Sequence, residues 1–141
     1  MIHVDLHDDA KADLLALALV EPDAVATISV FLQEAKAIGD RVADVLTTTG
    51  NIALGTLKLS VKPWTTAQRQ RSRPNVWRLR VLESPATSYR LIHGYNYQTK
   101  QLVVLAVLRK TDNDKFEADF DYDNLETPIA RRILAAWDAL G

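Results

Sequence analysis

Apolar residues recur along this chain with two periods, and the switches between them mark its elements. Ile2, Val4 and Leu6 alternate with polar neighbours, which predicts a short strand over 2–6. Asp8 or Asp9 then suits the N-cap of a helix running to about Val20, with Leu14, Leu15, Ala18 and Leu19 on its apolar side. Glu21-Pro22 interrupts it, and Pro22 fits the first turn of a second helix over 22–47. Val25, Ile28, Leu32, Ala35, Val42 and Val45 form the buried stripe of that helix, and Gly39 is its weak point. The two helices make a hairpin.

After a connector at 47–55 the period becomes two. Leu57, Leu59 and Val61 alternate with Lys58 and Lys62 over 56–64, a short or edge strand closed by Pro63. The polar, basic stretch 65–74 reads as a mobile loop. A strand follows at 76–82, then a loop at 83–88 and a hairpin over 89–110 with its turn near 97–100. The second arm of the hairpin is apolar on both faces, as a central strand requires. Residues 111–126 read as an acidic linker. Thr127 caps a last helix, with Pro128 at its first position, that buries Ile129, Ile133, Leu134, Trp137 and Leu140. The order β-α-α-β-β-β-α predicts one small α+β domain over 1–141, with an antiparallel sheet, an N-terminal helical hairpin and a C-terminal helix.

Composition narrows the class. With 141 residues, 48% apolar and 25% charged, the chain reads as a single globular domain. Its longest apolar run, 102–108, is far short of the ~20 residues of a membrane span. The first residues are acidic and lack the cationic start of a signal peptide. The absence of cysteine excludes disulfides, thiolate metal sites and cysteine catalysis. A soluble cytoplasmic protein is the expectation.

Charge changes the picture more. The net charge of −1 conceals three blocks: residues 1–54 hold 3 Lys/Arg against 9 Asp/Glu, residues 55–110 hold 11 against 1, and residues 111–141 hold 3 against 8. The middle block therefore carries +10, the footprint expected for a phosphate-rich partner. Pairing of that block with the acidic helices is the plainer alternative, although Glu83 is the block's one carboxylate.

The cations also fall in register. Arg78 and Arg80 share one face of a strand, Arg90 begins the next, and Arg109 and Lys110 end the one after it. Antiparallel strands bring such positions together, and guanidinium groups bind phosphate oxygens through paired hydrogen bonds. Metal-dependent hydrolysis finds little support: His3, His7 and His93 form no ligand motif, and the carboxylates avoid the basic block. The 112–126 stretch lacks the glycine and the spacing of an EF-hand loop. No glycine-rich phosphate loop or serine elbow occurs, and no cofactor is implied. Tyr95 and Tyr97 suit either base stacking or packing across the hairpin.

Three motifs, in order, resemble the RelE/ParE superfamily of toxins, and within it the RelE/HigB branch. They are "VWRLRV" at 76–81, "SYRLIHGY" at 88–95 and "LVVLAVLRK" at 102–110. The resemblance covers nearly the whole chain. It implies the toxin of a toxin-antitoxin pair, which cleaves mRNA on the ribosome without metal through attack of a ribose 2′-hydroxyl on the adjacent phosphorus. Carried over by position, Arg90 would stabilise the transition state and Arg80, with Arg78, would take the position where relatives place a cation. Arg109 and Lys110 would contact the phosphate or the leaving oxygen. Lys58, Lys62, Arg69, Arg71 and Arg73 would engage ribosomal RNA. Since arginine is a poor general base, His93 becomes a candidate for proton transfer, although alternation puts it opposite Arg90. Tyr122 would correspond to a tyrosine that some relatives carry before the last helix. The implied partners are a cognate antitoxin, the ribosome and mRNA, with operator DNA reached through the antitoxin. The rival readings are a ParE-like gyrase inhibitor and a non-catalytic binding protein on the same fold.

Overall fold

The structure, a computed structural model, describes residues 1–71, 74–111 and 115–140. Strand β1 (His3–Leu6) lies at one edge of a six-stranded sheet, beside β6 (Gln101–Arg109). Then come β5 (Tyr89–Asn96), β4 (Val76–Val81), β3 (Leu57–Pro63) and, at the far edge, β2 (Gly50–Leu54). β1 pairs with β6 in parallel and every other neighbouring pair is antiparallel, so the sheet is mixed and not antiparallel throughout. The chain leaves β1 through α1 (Asp8–Ala18), α2 (Pro22–Ala37) and α3 (Val42–Leu46), crosses one sheet face, and re-enters at the opposite edge.

Three local differences from the expected elements have physical causes. The second helix stops at Ala37, because Gly39 takes the left-handed φ of +69° and starts a 3-10 turn before α3. The expected connector contains β2, whose weak pattern is rescued by pairing with β3 across a tight turn at Gly55, φ +56°. This makes β3 an interior strand. The expected loop at 65–74 contains α4 (Thr65–Gln70), which buries only Ala67 and so carries no visible apolar stripe.

Helix faces shift by a fraction of a turn. In α1 the buried residues are Ala10 and Leu14, while Leu15 and Leu19 are 72% and 87% exposed. In α2 and α3 the deepest side chains include Ile28, Phe31 and Leu46, with Val25, Leu32 and Val45 only half-buried. The α1 cap is His7, whose Nδ1 accepts from the Asp9 N–H at 3.0 Å; Asp8 and Asp9 occupy the first turn. Thr127 and Pro128 start α5 (Pro128–Asp138) as expected.

Helices cover both faces of the sheet and are not segregated on one. Leu14, Ile28, Phe31 and Leu46 pack on Leu59, Val61, Leu79, Val81 and Leu91. Ile133 and Leu134 of α5, with Phe120, pack on Ile92, Val103, Leu105 and Leu108 of the other face. Val103 and Val104 belong to opposite layers, so β6 is buried on both sides, as its sequence predicts. Opposite Ile92/His93 a bulge turns both Leu105 and Ala106 toward α5. There the Val107 N–H is capped by Asp13 at 3.0 Å, and Asp13 is held in turn by Arg132 at 2.8 Å. Gly94 lets α5 dock: a Cβ there would lie 2.3 Å from the Trp137 ring. Residues 60–62 and 78–80, by contrast, leave the α5 side of the sheet open.

Candidate functional site

Alternation along β4 buries Leu79 and Val81 on one face and turns Arg78 and Arg80 to the other, where Val76 is buried and the rest of the face is open. β3 sets Ser60 opposite Arg80 and Lys62 opposite Arg78. Arg90 reaches the same face from β5, and Lys110 follows the end of β6, its N–H bonded to the Ser88 carbonyl at 2.7 Å. Ser60, Lys62, Arg78, Arg80, Arg90 and Lys110, with Leu79, line an open groove of about 230 Å³. Five cations therefore meet in one depression, and among the described residues no carboxylate lines it.

Rigid neighbours orient these charges. The Arg78 guanidinium lies 4.3 Å above the Tyr122 ring, a contact that tolerates charge without neutralising it. The Lys110 ammonium sits 5.2 Å from the Phe116 ring. Arg90 donates from Nη1 to the carbonyls of Thr87 and Tyr89 at 2.9 and 3.1 Å, which fixes one end of its guanidinium fork. Tyr122 is itself locked in an aromatic cluster with Trp64, Phe116 and Phe120, ring centres 5.1–6.2 Å away. The Trp64 indole donates to the Tyr122 carbonyl at 2.8 Å. The segment read as a linker thus has a core of its own that props one wall of the groove. Asp119 and Asp121 of that segment border a neighbouring cleft, which shares Lys110 with the groove.

The remaining candidate residues divide sharply. Arg109 points away from Lys110 and does not line the groove; it is paired with Glu117 and lies 3.7 Å from Glu21. Tyr89, which donates to Glu21 beside it, has its phenol pushed up to about 12, first by burial and then by that carboxylate. His93 is on the face opposite Arg90, completely buried, with Nε2 2.7 Å from the Leu46 carbonyl and Nδ1 unpaired. Burial lowers its pKa to about 4, with the Leu46 bond opposing. It cannot take a proton from anything in the groove. Tyr122 is next to Arg78, and burial pushes the pKa of its hydroxyl up to about 12 against the pull of Arg78 and Arg90. It stays neutral and serves as a platform.

Lys58 is exposed on β3, in phase with Ser60 and Lys62 but outside the groove lining. Arg71 is tied to Asp138 of α5, and Arg69 borders a separate cleft. Arg73 lies outside the described residues. Ser60 is the groove residue that reasoning on cations missed; its spacing of two from Lys58 and Lys62 was the available signal. Among the described residues no group of three or more histidine or acidic side chains is arranged to hold a metal ion, and no helix is long and apolar enough to cross a membrane. Comparison with protein-family models, with curated proteins and with solved structures gives no significant match to this chain.

Proposed function

We propose that the groove binds the phosphodiester backbone of RNA and that the chain is a RelE/HigB-like toxin, a metal-independent and ribosome-dependent mRNA endoribonuclease. The observation that carries this reading is the meeting of Lys62, Arg78, Arg80, Arg90 and Lys110 in one groove. Cations clustered on rigid strands are complementary to a polyanion. In the reaction the ribose 2′-oxygen loses its proton and bonds to phosphorus, and the bond from phosphorus to the 5′-oxygen breaks. Charge grows on the phosphoryl oxygens and then on the leaving oxygen. Arg80 and Arg90 are suited to the first through paired donors, and Lys110 to the second. None of these side chains is an effective proton acceptor, so the groove contributes orientation and charge neutralisation while the proton passes to a group outside its lining.

That last point favours a second reading, in which the groove binds RNA and cleaves nothing. Translation in vitro with primer extension on the mRNA separates the readings. Cuts in phase with codons support the nuclease. RNA binding without cuts supports the binding module, and inhibition of DNA supercoiling without cuts supports a ParE-like gyrase inhibitor. A toxin of this kind also needs a cognate antitoxin, with an acidic or amphipathic segment covering the 55–110 surface. Co-expression with the neighbouring reading frame should recover that complex, and harmless high-level expression of the chain alone would count against the toxin reading.

A further inference from the structure

A second depression lies where α4, the entry to β4 and the β5–β6 turn meet. It has a volume of about 550 Å³ and is lined by residues that include Gln68, Arg69, Asn75, Trp77 and Tyr97. Among the described residues no carboxylate lines it. Its aromatic floor is preorganised: the Trp77 indole donates to Asn75 Oδ1 at 2.6 Å, and the Asn75 amide donates to the Tyr95 carbonyl at 3.1 Å. Gln68 is held by the Val76 carbonyl at 2.9 Å. Tyr97, on the turn, is 68% exposed and packs into no core cluster, unlike Tyr95. Planar aromatic surface, one guanidinium and side-chain amides together favour a ligand that is flat and anionic. A nucleotide is the class that has both properties.

We infer that this cleft takes a base of the single-stranded RNA whose backbone occupies the cationic groove, stacked against Tyr97 and Trp77, with Arg69 beside its phosphate or ring carbonyl. The inference rests on the RNA-binding reading of the groove. The two sites are neighbours in the chain: Lys62 in the groove precedes Thr65 in the cleft by three residues, and Arg78 follows Trp77. By alternation Trp77 and Arg78 project to opposite faces of β4, so the strand would turn around the end of the sheet between them.

The test compares a five-nucleotide single-stranded RNA with an abasic ribose-phosphate strand of equal length, by fluorescence anisotropy. Wild type should bind the RNA roughly 5- to 150-fold more tightly, the range for one stacked base. Tyr97→Ala should bring that ratio most of the way to one, and Tyr97→Phe, which keeps the ring, should retain it. Arg80→Ala should weaken both ligands by the same factor and leave the ratio unchanged. Equal binding of the two ligands by wild type, or an unchanged ratio in Tyr97→Ala, overturns the base site while the groove reading stands. Failure of wild type to bind either ligand overturns both.

Discussion

The two faces of β4 obey opposite physics within six residues. On one, Leu79 and Val81 are buried against the α1–α3 layer, with Trp77 at its margin; on the other, Arg78 and Arg80 stand over an open groove. The first face is held by volume and by exclusion of water. The second holds like charges close together, an arrangement that works against folding and is tolerated because the first face fixes the strand. The comparison predicts that substitutions on the two faces should be separable, one set acting on stability and the other on binding.

The largest effect belongs to the apolar face. Leu79 is 1% exposed, and Leu79→Ala should cost about 2–5 kcal/mol of unfolding free energy, the range for an aliphatic truncation that leaves a cavity. Urea denaturation measures this. A loss below 1 kcal/mol would show that the α1–α3 layer does not hold the strand as described.

Next comes Arg90, which tests the groove. If its paired donors engage the scissile phosphate, Arg90→Ala should lose roughly 100- to 1000-fold in mRNA cleavage, about 2.7–4 kcal/mol, as for removal of one strong transition-state donor. Arg90→Lys keeps the charge but not the planar fork and should recover only part of the rate. Circular dichroism should show a folded protein in both, with a small loss of stability from the bonds to the Thr87 and Tyr89 carbonyls. A folded Arg90→Ala protein that cleaves at the wild-type rate would sink the mechanism.

These residues also show what was legible in the sequence. Period-two alternation located β4 and β5, and placing Arg78, Arg80 and Arg90 on one face followed directly from it. The meeting with Lys62 was not read from it: Lys62 was grouped with the loop cations, and the β3–β4 register is what sets it opposite Arg78. Arg109 was misplaced because adjacency in sequence, Arg109-Lys110, says nothing about a shared face: successive strand residues point apart. The parallel pairing of β1 with β6 was not legible, since a short alternating segment carries no mark of its partner. Nor was α4, whose only buried side chain is Ala67, or the aromatic packing of 116–122, whose acidic residues dominate the pattern and hide Phe116, Phe120 and Tyr122.

Acid should strike the two faces unequally. His93, packed beneath β5 on the apolar face, has a folded pKa of about 4 against 6.5 when unfolded. Between those values the unfolded chain binds the extra proton, so stability falls as pH drops through 6.5, and the penalty is complete below about 4. Its full size is about 3 kcal/mol. Urea midpoints from pH 7.5 to 4.5 should decline, and His93→Leu, though less stable at neutral pH through loss of the Leu46 bond, should flatten the decline. A wild-type curve that is flat over this range would show that His93 titrates normally.

Salt should separate the two arginines whose fates diverge most. Each cation that neutralises a phosphate of a single strand contributes about −0.7 to the slope of log K against log salt. Arg80 lines the groove, so Arg80→Ala should reduce that slope by about 0.7 and weaken binding of a short RNA several-fold at low salt. Arg109 is engaged with Glu117 and Glu21 away from the groove, so Arg109→Ala should leave the slope within error of wild type and show instead a modest loss of stability. Equilibrium binding at four salt concentrations, with thermal melts of each variant, resolves both quantities. If the Arg109 variant lowers the slope as much as the Arg80 variant, RNA reaches around the C-terminal end of β6 and the interface is wider than the groove. If neither variant changes it, the convergence of cations on the open face is not what holds the phosphates, and the contrast between the two faces of β4 is one of packing alone.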